Sequence, residues 1–296
     1  MIAGWLVALF VGLMLLAAAA TVQAYPPGIA AAGADLADDF KYLSNNTQLD
    51  FDDIATAPLH FAAPGGPLRS PRFYLAVGAA GALWAGSFAL DQTMRTSLRH
   101  MSRGAHDVME NLSYTCLISG VSLQYVSGLY WRDQRARDYA LTAMMGAGFG
   151  VLANLGLEAA FGRLRPFQSS SHTAFFRKVG AFNAGSFSSE DMVITSAMAT
   201  GASEYFDNKW YVAVPLYSLV LTEGFTRMGS DQNWFSDVVA GGLLGWAITE
   251  LLLRLHDNHA VETKRWRIFP VGAPALPSHA RAKMPLAMGI GVAYAW

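Results

Sequence analysis

Charged residues are scarce in this chain: they make up 15% of its 296 residues, whereas hydrophobic residues make up 53%. Soluble domains carry roughly 25% charged residues, so this balance argues against a water-soluble protein. The mean hydropathy is positive, at +0.26. We therefore expect an integral membrane protein, most simply one of the inner (cytoplasmic) membrane of a bacterium.

An excess of either charge is also missing. The formal net charge is -1, and without a broad basic surface we exclude nucleic acid as a partner. The single cysteine, Cys116, forms neither an internal disulfide nor a multi-thiolate metal site by itself, and we predict a small buried hydrophobe there. The glycine-rich stretches lack the strand-turn-helix setting of a nucleotide-binding loop, so we expect no cofactor. We also expect no bound metal.

The first 24 residues are apolar through Ala20 and end in Val22-Gln23-Ala24 before a Tyr-Pro-Pro break. This ending resembles a signal-peptidase site, although the positively charged start of a signal peptide is missing. The stretch is also long enough to span a bilayer. A cleaved signal peptide and a retained membrane anchor both stay open.

Residues 25–72 are more polar and predict an interfacial region, with an amphipathic or irregular stretch over 34–53 and a turn-rich linker over 62–72. Residues 73–256 predict an all-α, polytopic membrane bundle, because six apolar segments there approach the roughly 20 residues of a bilayer crossing. These segments are 73–90, 108–131, 139–161, 190–206, 210–225 and 235–255. The tail, 257–296, alternates near its end like a short strand.

Three separated blocks lie in the loops of this bundle: Gly162 to Pro166, Ser186 to Ser189 entering a helix, and Thr226-Arg227 with Asp237 ten residues beyond Arg227. Their order and spacing resemble the type 2 phosphatidic acid phosphatase and vanadium haloperoxidase superfamily over roughly residues 73–256. Members of that family are helical membrane proteins that hydrolyse phosphate esters of lipids. The resemblance implies the same fold here.

The family pattern uses Lys, six residues, Arg-Pro in the first block, Pro-Ser-Gly-His in the second, and Ser-Arg, five residues, His, three residues, Asp in the third. The cations surround a phosphoryl group, and guanidinium suits bidentate contact with its oxygens. The third-block His attacks phosphorus while the Asp orients its ring. The second-block His protonates the leaving alkoxide.

This sequence departs from the pattern at the catalytic positions. The family Lys falls on Glu158, whereas Arg-Pro is kept as Arg165-Pro166. In the second block only the serine is kept, as Ser189, and the Gly and His positions hold Glu190 and Asp191. In the third block Arg227 and Asp237 are kept, but the nucleophilic His becomes Asn233. Both family histidines are absent from their positions.

These departures predict a catalytically degenerate member, in which carboxylates and arginines form an internal salt-bridge network where phosphate would bind. Such a pseudoenzyme would act as a structural or lipid-contacting subunit, with membrane lipids and other membrane-protein subunits as partners.

The alternative is a divergent phosphatase acting on lipid phosphates or isoprenoid pyrophosphates. In it, Asp191 would attack phosphorus, or Glu158, Glu190 and Asp191 would hold a metal that activates water. His172 is the histidine in the motif loops, and we interpret it as a solvated loop residue rather than a relocated nucleophile.

Overall fold

The computed structural model describes residues 27–62, 71–98, 103–177, 185–271 and 289–294. The helices in chain order are α1 (Pro27–Ala62), α2 (Pro71–Ser87), α3 (Asp91–Leu98), α4 (Arg103–Trp131), α5 (Gln134–Phe161), α6 (Glu190–Tyr205), α7 (Trp210–Gly229) and α8 (Phe235–Arg265). A short 3-10 helix (Phe88–Leu90) joins α2 to α3. Each predicted apolar segment falls on one of these helices, whereas the predicted signal or anchor, 1–24, lies outside the described residues.

The centre of the bundle is α6. Twelve consecutive residues, from Met192 to Ser203, are buried, as expected for a helix that is apolar all round and surrounded by others. Small residues allow close approach: a Cβ on Gly245 of α8 would collide with the backbone of Val193, and one on Gly201 with Ala143 of α5. The fourth predicted crossing is therefore a core helix that contacts protein on all sides.

Two of the described helices, Gln134–Phe161 and Phe235–His256, are long and apolar enough to cross a membrane by length and composition. Helices α2 and α6 have only 17 and 16 residues, fewer than the roughly 20 that a perpendicular crossing needs. Six crossings thus stay a prediction.

The described part of the polar region is one helix, since α1 extends over 36 residues. The predicted turn-rich linker lies largely outside the described residues. The irregular alternative for 34–53 is wrong. A buried ion pair holds α1 on the bundle: Nε of Arg137 lies 3.1 Å from a carboxylate oxygen of Asp39, and the hydroxyl of Tyr125 donates to the same carboxylate at 3.0 Å. Helix α1 therefore packs with α4 and α5 rather than lying apart from them.

Cys116 is exposed on α4, so the prediction of a buried hydrophobe is wrong. Apolar runs do not distinguish the inner from the outer face of a membrane helix, and Cys116 lies on the outer face. The first compact unit of the chain ends at Leu253.

A second compact unit, Arg254–Trp296, contains the end of α8 and two strands. These are β1 (Trp266–Val271) and β2 (Gly289–Tyr294). They pair antiparallel, with Trp266 opposite Tyr294 and Val271 opposite Gly289. The predicted C-terminal strand is confirmed as β2.

Candidate functional site

A fully buried arginine, Arg163, lies at the centre of the loop that follows α5. Its Nη2 donates to Asp91 Oδ2 at 2.7 Å, and its Nη1 donates to Ser236 Oγ at 2.7 Å and to Asp237 Oδ1. Its Nε donates to the carbonyl of His172 at 3.0 Å. The guanidinium of Arg163 therefore connects the first residues of α3 and α8 to this loop.

This ionic centre is enclosed by aromatic rings. The guanidinium carbon of Arg163 lies 5.1 Å from the ring centroid of Phe88, 4.8 Å from that of Phe175 and 5.4 Å from that of Trp234, within the range of cation-π attraction. Asp91 is held further by the backbone N–H and the hydroxyl of Ser236, each at 2.8 Å. Buried charges are tolerated when paired and hydrogen-bonded in this way.

The sequence reasoning missed Arg163, Asp91 and Ser236. A signal for Arg163 existed, since it lies in the first block two residues before Arg165. Asp91 follows an apolar segment directly, and a carboxylate at that point is also the ordinary end of a membrane helix. Its partnership with Arg163 spans 72 residues and has no local signature.

The second and third blocks meet around Arg227. Its Nη1 lies 2.9 Å from Asp191 Oδ2, and its Nε donates to Asn233 Oδ1 at 3.3 Å. The hydroxyl of Ser189 donates to the same amide oxygen at 3.3 Å, while Asn233 Nδ2 donates to the carbonyl of Ser186 at 2.8 Å. The structure thus brings together four of the positions that the motif alignment singles out.

The start of α6 explains the two adjacent carboxylates. Glu190 and Asp191 occupy its first turn, where the partial positive charge of the helix N-terminus favours anions. The preceding residue, Ser189, donates its backbone N–H to the carbonyl of Asp237 at 3.2 Å. A Cβ on Gly241 would collide with the backbone of Ser189, so α8 packs directly against this turn and brings the third block to it.

Arg165 lies beside these groups. Its Nη1 donates to the side-chain carbonyl of Gln232. Burial lowers the pKa of Arg165, and the positive charge of Arg227 lowers it further, whereas Glu158 and Asp191 oppose both effects. The two arginines kept from the family pattern therefore lie close enough to repel one another.

Glu158 is connected to the second block through Asn154. Asn154 Nδ2 donates to Glu158 Oε1 at 3.1 Å, and the hydroxyl of Ser188 donates to the amide oxygen of Asn154. Asn154 is buried on α5. The inverted charge of the first block thus belongs to the same polar network as the start of α6.

Two positions differ from their expected roles. Asp237 was expected to orient the group at 233, but Asp237 Oδ1 accepts from Arg163 and Asp237 Oδ2 accepts from the backbone N–H of Trp234 at 2.9 Å. His172, expected as a solvated loop residue, is half-buried, and its ring centroid lies 6.2 Å from that of Trp234. The backbone carbonyl of His172 accepts a hydrogen bond from Arg163, so His172 belongs to the site.

Among the described residues, no group of three His, Cys, Asp or Glu side chains is placed to hold a metal ion. Glu158, Glu190 and Asp191 do not form such a group. The charged contacts of this site are therefore those of arginines with carboxylates and amides.

The sequence model of the PAP2 superfamily matches residues 138–260 of this chain. No protein of curated function matches it. Among solved structures, the chain is similar to a transmembrane PAP2 type phosphatidylglycerolphosphate phosphatase from Bacillus subtilis, with 17% identity and a TM-score of 0.44, over 65% of this chain and 96% of that one. The match of the family model confirms the predicted resemblance to the type 2 phosphatidic acid phosphatase superfamily over these residues.

Proposed function

We propose that this chain, a member of the PAP2 superfamily through residues 138–260, is an integral membrane protein that has lost phosphoester hydrolysis and acts as a structural or lipid-contacting subunit. One observation carries the proposal. Arg227, which in the family pattern binds the phosphoryl group, lies 2.9 Å from Asp191, the residue at the position of the family's general acid.

The nucleophile position supports the same conclusion. An asparagine amide cannot form the phosphorylated intermediate that the family's reaction needs. The amide of Asn233 is also held on both sides, since its oxygen accepts from Arg227 and Ser189 and its nitrogen donates to the carbonyl of Ser186. Asn233 is thus a hydrogen-bonded part of the core in the place of a reactive imidazole.

The charges at the motif positions disfavour the binding of phosphate. Three carboxylates at motif positions, Glu158, Glu190 and Asp191, accompany two arginines, Arg165 and Arg227. The third arginine, Arg163, is paired with Asp91 and Asp237. Two unit charges 4 Å apart at an effective dielectric of about 20 interact by roughly 4 kcal/mol, so one inverted charge offsets a good arginine contact.

Membrane integration is supported by the outer surface of the bundle. Besides the two helices of spanning length and composition, several helices present large apolar residues outward. They include Leu75 and Leu83 on α2, Leu123 on α4, Leu152 on α5 and Leu221 on α7. Extensive exposed apolar surface is uncommon on soluble monomers. We propose that this membrane is the inner membrane of a bacterium.

The test is phosphate release by the purified protein, with short-chain phosphatidic acid and an isoprenoid pyrophosphate as substrates. We expect no release above that of a variant in which Arg227 is replaced by alanine. Release from the unaltered chain that Asp191→Asn abolishes would overturn the proposal. Unrelated membrane proteins that co-purify in mild detergent, without turnover, would support the subunit role.

A divergent lipid-phosphate phosphatase is the second candidate. In this function Asp191 would leave Arg227 and attack phosphorus while the guanidinium binds the phosphoryl oxygens. This mechanism requires an acyl phosphate on Asp191, which hydroxylamine traps as a hydroxamate. Mass spectrometry of the peptide that carries Asp191, after incubation with phosphatidic acid and hydroxylamine, separates the two functions.

A further inference from the structure

Six aromatic residues form a connected series that we call the ring cluster: Trp84, Phe88, Phe161, Phe175, Phe176 and Phe187. Neighbouring ring centroids lie between 5.2 and 6.4 Å apart. The series begins at Phe187, which is 5% exposed and directly precedes Ser188 and Ser189, and it reaches the surface at Phe176, which is 75% exposed. One apolar path thus leads from the candidate site to the outside of the protein.

Phe176 is held in its exposed position by the backbone. Its N–H donates to the carbonyl of Phe161 at 2.7 Å, and the next N–H, of Arg177, donates to the carbonyl of Gly162 at 3.2 Å. Its φ is 55°, in the left-handed region that bulky residues rarely adopt. Such conformations persist only where the surroundings impose them. The fold therefore directs this ring away from the protein core.

Residues 169–173 of the loop are polar. The hydroxyls of Ser171 and Thr173 lie 3.0 Å apart, and the hydroxyl of Ser169 accepts from the backbone N–H of Ser171 at 3.0 Å. Gln92 and Arg95 of α3 donate to carbonyls of Ser170 and Ser169. The loop therefore has a polar arm fixed to α3 and an apolar end at Phe176, the arrangement that suits a boundary between water and hydrocarbon.

The helices that carry the ring cluster also present apolar residues outward. Trp84 of the cluster lies on α2, next to Leu83, which is 58% exposed, and Phe161 ends α5, where Leu152 is 57% exposed. These outward apolar faces belong to the part of the bundle that faces lipid in the proposed function. The ring cluster extends from these helices to the candidate site.

We propose that Phe176 inserts into the acyl-chain region at the edge of the bilayer, so that hydrocarbon chains of lipids contact the ring cluster beside the candidate site. The ligand class is the apolar chain of a bilayer lipid. The inference rests on the membrane location given under the proposed function, and it specifies which element of the site loop makes the lipid contact.

Spin labelling tests the proposal on the full chain in lipid nanodiscs. Cys116→Ala removes the single native thiol, and a nitroxide is then attached after Phe176→Cys or, as the matched control, after Ser170→Cys on the polar arm. Oxygen concentrates in hydrocarbon, whereas a nickel chelate stays in water. We expect the ratio of oxygen to nickel accessibility to be several-fold higher at 176 than at 170.

Two outcomes overturn the inference: a label at 176 as accessible to nickel as the label at 170, or a label at 176 shielded from both reagents, which would mean that protein covers the ring. If Phe176→Cys fails to fold, Phe176→Trp replaces it. In lipids with brominated chains, we expect its emission to be quenched by a larger fraction than that of the unaltered chain.

The failure of this inference is distinguishable from that of the proposed function. Phosphate release by the purified chain would contradict the proposed loss of hydrolysis. It would not change the membrane depth measured at residue 176. A water-exposed label at 176 would overturn the lipid contact and leave the phosphate assay unchanged.

Discussion

Arg227 and Asp191 form a largely buried ion pair in which Nη1 lies 2.9 Å from Oδ2, with side chains 17% and 19% exposed. The pair joins the end of α7 to the first turn of α6. A guanidinium that the family pattern assigns to a ligand thus has a partner within the chain. The first prediction tests whether this carboxylate excludes an anionic ligand from Arg227.

Asp191→Asn should increase the affinity of the site for phosphate and vanadate. The substitution removes a negative charge beside Arg227 and keeps the shape of the side chain. We expect the Kd to fall at least tenfold. This change corresponds to about 1.4 kcal/mol, which is well below the roughly 4 kcal/mol of one close charge pair. Isothermal titration calorimetry in detergent measures it.

The matched control for that substitution is Asp38→Asn. Asp38 is an exposed carboxylate paired with Lys41 on α1, so its removal should leave anion affinity unchanged. Micromolar binding of phosphate by the unaltered protein would contradict the view that Asp191 occupies the place of a ligand.

Arg163→Met should destabilise the fold severely. It leaves Asp91 and Asp237 buried without their shared cation, and breaking a buried ion pair from one side costs about 3 to 5 kcal/mol. Arg135→Met is the comparison, because Arg135 and Asp207 form an exposed pair, worth at most about 1 kcal/mol. Thermal unfolding in detergent should show a large decrease in the unfolding midpoint for Arg163→Met only. Equal decreases for both variants would contradict the structural role of Arg163.

Gly245→Ala should prevent the close contact of α8 with α6. The added Cβ would meet the backbone of Val193, which cannot move aside as a flexible side chain does, and overpacking typically costs about 1 to 3 kcal/mol. Gly148→Ala on α5 is the control, since nothing lies within 4 Å of its Cβ, and helix propensity there favours alanine by up to about 1 kcal/mol. Unfolding midpoints should move in opposite directions.

The stability of the protein should depend on pH through Asp133, the residue that precedes α5. Its side chain accepts from the backbone N–H of Ala136, and this bond, together with one from the hydroxyl of Tyr205, holds the pKa of Asp133 below its usual value. The stabilisation is complete above the unfolded-state pKa, about 3.9, and is lost as the pH falls through the lower folded-state pKa.

Acidification below pH 4 should therefore lower the unfolding midpoint of the unaltered protein more than that of Asp133→Asn, whose amide oxygen accepts the same bond at any pH. Asp133→Ala should lose about 1 kcal/mol at neutral pH, as other N-cap removals do. Thermal unfolding between pH 3 and 6 checks both statements. A loss on acidification that is identical in the unaltered protein and Asp133→Asn would contradict the assignment.

Motif order placed the second and third blocks in one candidate site without specifying which of their residues meet. Ser189 and Asp191 lie at the start of one apolar helix, and Arg227 and Asn233 flank a short turn, so once α6 packs beside α7 and α8 the positions converge. The alignment did not predict which atoms pair, because Asn233 has several hydrogen-bonding arrangements available and only the surrounding backbone selects one.

Other parts of the site could not be predicted from local patterns. The pairing of Arg163 with Asp91 and that of Arg137 with Asp39 join residues 72 and 98 positions apart. A single charge in a loop or a polar helix is equally compatible with solvent exposure. Only the packing of α1 and α3 onto the bundle removes water from these groups and makes their pairing obligatory.

The sequence by itself determined the helices, the resemblance to the PAP2 superfamily and the absence of histidine at positions 191 and 233, because hydrophobic periodicity, motif order and side-chain chemistry are properties of the covalent chain. The tertiary structure decided that α6 is a core helix, that Cys116 faces outward and that Arg227 is paired with Asp191. Burial and ion pairing depend on which surfaces meet, and apolar segments of equal composition fit a protein interior and a lipid bilayer equally well.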